Sequence, residues 1–595
     1  MGEQKANWRT MSASRIGQLM NVTLGKEKAD LVIVNAALLN VYTGEVLSGH
    51  SVAVSKDRIA YVGLDAKHTI GPGTEVIDAG GASLIPGLID THVHLVYYYT
   101  PYQFLRHAMA GGTTTIITEL LEFVFYTGYR GAVTYLAALK DQPVKILATA
   151  PPLVTISPAA EARAYGRKQL AKLLSRPDVV GLGETYWLQA TQGHPRLLDN
   201  FAATIEAGKT IAGHASGSRA EKTQAYAAGG VSNCHESVSD GEALDKLRLG
   251  LYVIAREGSM RRDLEAVSKI KDAKMDLSRM VLGTDTVSPE FLLQNGYMEY
   301  VVQRAIELGW PPVQAIQMAT INAAQSFGLD DVVGGIAPGK FADMVLIPDL
   351  RTIKARLVVS SGRVIAENGR LLVQPRHHRF PAYVSNIFKV SRPLTAGDFM
   401  IPAPAGATEA KVRVIDFVTE LVTKETQTVL PVQQGMIKAD ASQDIVKVMM
   451  MDSFSGLDRK FVGLVKGFGL KKGAIASSQV WDCAGLIVLG SDEAEMAMAA
   501  NRVIELKGGI VVCAGGRVQA ELALPLAGFI CDLPVEELAQ RLADIQRAAA
   551  GLGGSFPDAH LSLTVLTTPA IPHLRIIEAG LVNIRDGSIM ELLVR

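Results

Sequence analysis

Between about Pro86 and Leu329 the chain alternates short apolar runs with longer amphipathic stretches, and no other feature of its 595 residues restricts the fold as much. TTTIIT, VKILATA, VVGLGE, TIAGHA, VSNCHE and MVLGTD read as buried strands. LAALKDQ, EARAYGRKQLAKLLS, SGSRAEKTQAYAAG and SDGEALDKLRLG read as helices. A repeated strand-then-helix unit over such a span is what a parallel (β/α)8 barrel requires. An open doubly wound sheet gives a similar pattern, so periodicity leaves two α/β architectures.

The polar residues favour the barrel, because they sit at strand ends. LIPGLIDTHVHL ends in His92-Val93-His94, and alternation along a strand puts both imidazoles on one face. Two neutral imidazoles pointing together pack poorly but suit a divalent metal. Later strands end in the same kinds of group: Glu184 after GLG, His214 after IAG, His235 after SNC, and Asp285 after LGT. Any one alone is more often a cap or a supporting group than a ligand. Six together, in this order, match the place where barrel enzymes carry their chemistry, the C-terminal ends of the strands. His107, His377 and His378 have no such placement and read as packed or solvated side chains. Cys234 faces away from His235 by strand alternation and reads as a buried structural thiol.

The flanks predict further units. β-rich runs at residues 1–85 and 335–375 suggest one small, discontinuous β domain, with the metal-dependent barrel at 86–334 as its insertion. Residues 376–410, rich in Pro, Arg and His, read as a connection, and 411–595 as a separate C-terminal α/β domain. Lys+Arg and Asp+Glu balance at 59 each, which gives no electrostatic reason to expect nucleic acid or an anionic membrane. Four scattered cysteines, no leader-like start and no long apolar run predict a cytoplasmic protein with a small-molecule partner.

GLIDTHVH, AGGTTTII, GLGE, AGHASG, CHES, EALDKLRLGLYVIAREGS and GFGLKKGAIASS together resemble the amidohydrolase superfamily, and within it the bacterial adenine deaminases. The last block is the most discriminating, since amidohydrolases in general lack it. The resemblance implies two divalent metal ions (Mn, Fe or Zn). His92 and His94 would hold one with Asp285 nearby, His214 and His235 the other, and Glu184 would bridge them. A hydroxide between the ions would attack a ring carbon, with Asp285 as proton shuttle and Glu184 and Asp285 as the catalytic carboxylates. A homo-oligomer is implied as well.

The departures from that family cluster around the substrate. The stretch after the two histidines is Val96-Tyr97-Tyr98-Tyr99 in place of an acidic-Ser-Ser sequence. Glu119-Leu120-Leu121-Glu122 stands where the family has Asp-Pro-His-Glu. Asp285 is followed by Thr286 rather than a second aspartate, and Trp481 and Ala484 replace two histidines. Tyr97, Tyr98, Glu119, Glu122 and Trp481 are therefore expected at the substrate, with residues 466–485 lying over the barrel mouth. The function expected is hydrolysis of a C–N bond in a nitrogen heterocycle. The alternatives are a deaminase for a heterocycle other than adenine, ring opening of a hydantoin-like cyclic amide, and a non-catalytic binding paralogue.

Overall fold

The computed structural model describes residues 8–571 and 573–594. Eight strands of the middle segment follow one another around a single sheet: β1 (Leu88–Val93), β2 (Thr113–Thr118), β3 (Lys145–Ala150), β4 (Val179–Tyr186), β5 (Thr210–His214), β6 (Val231–Cys234), β7 (Tyr252–Arg256) and β8 (Met280–Gly283). All neighbouring pairs are parallel. The two edges meet at a bridge between Val93 and Asp285. There Asp285 N donates to His92 O and His94 N donates to Asp285 O, each at 2.8 Å. The sheet thus closes into a barrel, and the closure runs through residues expected at the metal site.

Ile89, Ile117, Leu147, Val180, Ile254 and Val281, one from each of six barrel strands, share an apolar cluster with Phe327 and Leu329. The ring is filled by side chains and is not a pore. β2 and β4 are buried at every position, which is why they read as continuous apolar runs rather than alternating ones. The covering helices start where the sequence supplies caps. Ser239 accepts from Glu242 N at the head of Asp240–Arg248, with acidic residues in the first turn and Lys246 and Arg248 in the last.

The two β-rich flanks belong to one nine-stranded sheet. Ser83–Pro86 pairs antiparallel with Met344–Ile347, which joins the stretch entering the barrel to the stretch leaving it. The sheet is mixed rather than purely antiparallel, because Glu75–Asp78 and Ser83–Pro86 both run parallel to Leu31–Asn40.

The C-terminal part is built on a ten-stranded, mostly antiparallel sheet, with helices Glu493–Glu505 and Val535–Gly551. It grips the barrel mouth. Ile530–Cys531 pairs parallel with Tyr98–Tyr99, Thr100 Oγ1 donates to Asp532, and Tyr126 OH donates to Ser478 O. Among the described residues, no helix is long and apolar enough to cross a membrane.

Candidate metal centre and active site

The six strand-end residues converge. Glu184 Oε1 is the hub, lying 2.9 Å from His235 Nε2, 3.2 Å from His214 Nδ1, 3.5 Å from His92 Nε2 and 3.8 Å from His94 Nε2. Asp285 Oδ1 is 3.5 Å from His94 Nε2 and 3.8 Å from His92 Nε2. The His92 and His235 rings stack at 3.9 Å. Burial on its own would raise the Glu184 carboxyl, but the four imidazoles around it hold it well below the ordinary carboxylate range.

This donor set fits divalent metal. His92 Nε2 is buried without a hydrogen-bond partner, although it points into a group of carboxylates and imidazoles. A buried imidazole nitrogen left unpaired is costly unless something else engages it. Three overlapping triads have donor atoms within 4.8 Å of one another: His92, Glu184 and His235; His92, His94 and Asp285; His214, His235 and Glu236. All are nitrogen and carboxylate oxygen, the ligands that Mn, Fe and Zn accept.

Local structure explains why these residues project here. Asp90, wholly buried on β1, accepts from Thr284 Oγ1 at 2.5 Å and from His92 N at 3.1 Å, tying β1 to the end of β8. Asp285 adopts a left-handed backbone, with φ of 65°. That conformation is costly for most side chains but tolerated by aspartate. It lets one residue both close the barrel and aim its carboxylate inward. Gly183 lets β4 pass close to Glu119, since a Cβ there would lie 2.3 Å from Glu119 Oε2 and force it to shift.

The residues expected at the substrate separate into three groups. Trp481 lines the cavity beside the histidines, its ring 5.5 Å from that of His94 and edge-on to it. Glu119 and Glu122 stand behind the histidines. Glu122 Oε1 approaches His94 Nδ1 at 2.9 Å, and Glu119 Oε1 lies 3.6 Å from His92 Nδ1. They face the ring nitrogens turned away from the cluster, where a carboxylate fixes a metal-binding imidazole. Neither lines the cavity. Tyr97 and Tyr98 do not line it either. Tyr97 stacks on Trp481 at 5.1 Å, while Tyr98 enters the strand pair with the C-terminal part and its hydroxyl meets His560 Nδ1 at 3.2 Å. An aromatic run beside two histidines looks like a pocket wall in sequence; here it is mostly a docking surface.

Other residues join the site unannounced. Arg256, the last residue of β7, pairs with Glu236 and also donates to Asp285 Oδ2 at 3.0 Å. Burial by itself would raise Glu236, yet Arg256, His214 and His235 hold its carboxyl far below the ordinary range. Arg256 satisfies the same strand-end rule as the histidines, but a cation is not a ligand type and so attracts no notice. Tyr186 and Asp482 complete the wall. The cavity measures about 360 Å3 and is shared between the barrel and Leu421, Val422, Trp481, Asp482, Leu561 and Ile571 from the C-terminal part. That is at the small end of ligand pockets, which run from roughly 300 to 1,000 Å3.

A parallel barrel with imidazoles and carboxylates gathered at its C-terminal mouth defines a metal-dependent hydrolase of the amidohydrolase type. The amidohydrolase family model matches residues 83–366, and the model of the adenine deaminase C-terminal domain matches residues 420–588. The adenine deaminase of Moorella thermoacetica is 37% identical over 583 residues, covering 97% of this chain and 98% of that protein. That of Ruegeria pomeroyi is 35% identical over 585 residues, 97% of each. That of Cenarchaeum symbiosum is 34% identical over 585 residues, 96% of this chain and 94% of that protein. The chain belongs to the adenine deaminase family of amidohydrolases.

Proposed function

We propose that this hydrolase releases ammonia from an amino-substituted nitrogen heterocycle, with adenine the first candidate, using two divalent ions drawn from Mn, Fe and Zn. The observation that carries this is the convergence of four imidazoles on one oxygen of Glu184, with Asp285 beside them, at the edge of a cavity of about 360 Å3. His92 and His94 with Asp285 would hold one ion, His214 and His235 the other, and Glu184 would lie between. Divalent ions bound there supply Lewis acidity and an acidified water at neutral pH.

The chain's own residues do the rest. Asp285 Oδ1 faces the cluster and takes a proton there, then delivers it to the leaving nitrogen. Its other oxygen is held by Arg256, so the carboxylate cannot swing away from the reacting centre. Glu122 and Glu119 keep the His94 and His92 rings oriented from behind. Trp481 supplies a flat apolar wall for a planar ring. The family resemblance also supports a cytoplasmic homo-oligomer.

The test is ammonia release from the purified, Mn(II)-supplemented protein, with adenine beside a panel of aminopurines, aminopyrimidines and cyclic amides. Turnover of adenine establishes the substrate. Ammonia from another panel member, without turnover of adenine, means that Trp481 and its neighbours have reassigned the pocket. No ammonia from any member overturns the proposal.

A further inference from the structure

The walls of the cavity differ in kind. The barrel brings the metal-type residues together with Tyr186, Ser216, Arg261 and other polar groups. The C-terminal part brings Leu421, Val422, Leu561, Val565, Ala570 and Ile571, and among these apolar groups one ionisable side chain, Asp482. A carboxyl group in such a wall is expensive to keep, because burial penalises its charge. Asp482 is 1% exposed.

Its position is enforced from several directions. Tyr186 OH donates to Oδ1 at 2.5 Å, and Thr568 Oγ1 donates to Oδ2. Thr155 Oγ1 donates to its main-chain oxygen, and Thr567 Oγ1 donates to that of Trp481 at 2.7 Å. The backbone at Asp482 is left-handed, with φ of 58°, a conformation that aspartate tolerates better than most residues. Each carboxylate oxygen accepts one hydroxyl and keeps acceptor capacity to spare. The group lines the same cavity as the histidines. The Tyr186 ring that holds it lies 5.0 Å from the His214 ring, and Trp481, the preceding residue, is edge-on to His94.

We infer that Asp482 is the specificity-determining residue of this site, accepting a hydrogen bond from a ring N–H of the heterocycle on the edge away from the amino group released. This rests on the deaminase reading above and assigns to one side chain the rejection of rings whose nitrogen is alkylated or glycosylated. An N-substituted ring would offer the carboxyl no donor and press a carbon against it. Sites built to hydrogen-bond an N–H reject analogues lacking it by factors of roughly 10⁴–10⁵.

The experiment compares wild type, Asp482→Asn and Asp482→Ala, metal-loaded, on a matched pair: the best substrate of the panel and the same ring methylated at the imidazole-type nitrogen. Wild type is expected to prefer the unmethylated ring by at least ~10³-fold in kcat/KM. Both variants are expected to lose ~10²-fold or more on that ring, chiefly through KM, and under ~3-fold on the methylated one, so that discrimination collapses. Metal content and the unfolding midpoint, measured alongside, should match wild type in the isosteric Asn variant. Equal losses on both rings, or no loss on either, would overturn the role of Asp482 and leave the deaminase reading intact. Absence of ammonia release by wild type from every compound overturns that reading, and this inference with it.

Discussion

Asp285 has three duties: it closes the barrel through its backbone, faces the histidines with Oδ1 and meets Arg256 with Oδ2. Replacing it with Asn keeps the shape but removes the carboxylate proposed to accept the proton. Asp285→Asn is expected to cost ~10²–10⁴-fold in kcat while most of the metal stays bound, as read by ammonia release beside metal analysis. Unchanged turnover would exclude Asp285 as the shuttle. Arg256 is the cation that keeps Glu236 and Asp285 charged in a buried setting. Arg256→Met removes the buried guanidinium from both acids, and a loss of about 3–5 kcal/mol in unfolding free energy is expected, measured on the metal-loaded protein. Asp482 titrates in the opposite sense: burial pushes its carboxyl up to about 7, against the hydroxyls of Thr568 and Tyr186. The folded protein then holds a proton that the unfolded chain releases near ~3.9. Its contribution to stability is therefore largest at low pH and declines as pH rises toward 7, levelling off above. The gap in unfolding midpoint between wild type and Asp482→Asn should change most between pH 5 and pH 7 and flatten above about pH 8. A gap that does not move over that range would contradict the raised value.

At the scale of elements, the end of β2 supports the end of β1. Glu119 and Glu122, just beyond Thr118, reach the outer nitrogens of His92 and His94, so register between the two strands sets which carboxylates stand behind these imidazoles. Glu122→Gln should weaken metal retention ~10–100-fold in a chelator titration, with little change in secondary structure. β4 passes Glu119 at Gly183, where a Cβ would meet Glu119 Oε2 at 2.3 Å. A Gly183→Ala variant must push Glu119 away from His92, and is expected to lose metal affinity before it loses the fold. If both variants bound metal like wild type, the carboxylates behind the histidines would have no part in holding it.

For the whole molecule, the decisive feature is that the cavity has two makers. The barrel supplies the chemistry, while Leu421, Trp481, Asp482 and Ile571 come from a region more than 100 residues further along the chain. The two parts are joined by the strand pair of Tyr98–Tyr99 with Ile530–Cys531 and by Ser157, which donates to Glu578 at 2.8 Å. Removing residues 411–595 would expose that apolar contact surface and take one wall from the cavity. Such a truncated protein should be poorly soluble and lack turnover. Recovery of a soluble, fully active barrel would show that the C-terminal wall does not contribute to the site.

The parallel barrel and the placement of His92, His94, Glu184, His214, His235 and Asp285 at the ends of its strands were legible in the sequence, because both follow from local rules. Buried parallel strands are short apolar runs between helices, and a barrel carries its chemistry at the strand ends. A residue's position on its own strand is a local property. What a side chain faces across the barrel, or across a contact with a distant segment, is not. Glu119 and Glu122 pass for substrate contacts until β1 and β2 are in register, and the tyrosine run passes for a pocket wall until Ile530–Cys531 pairs beside it. Arg256 gains meaning only when Glu236 and Asp285 close around it, and Asp482 only when Tyr186 and Thr568, 296 and 86 residues away in the chain, meet at its two oxygens. Strand and helix periodicity determined where the reactive groups emerge; long-range packing alone decided which of them touch.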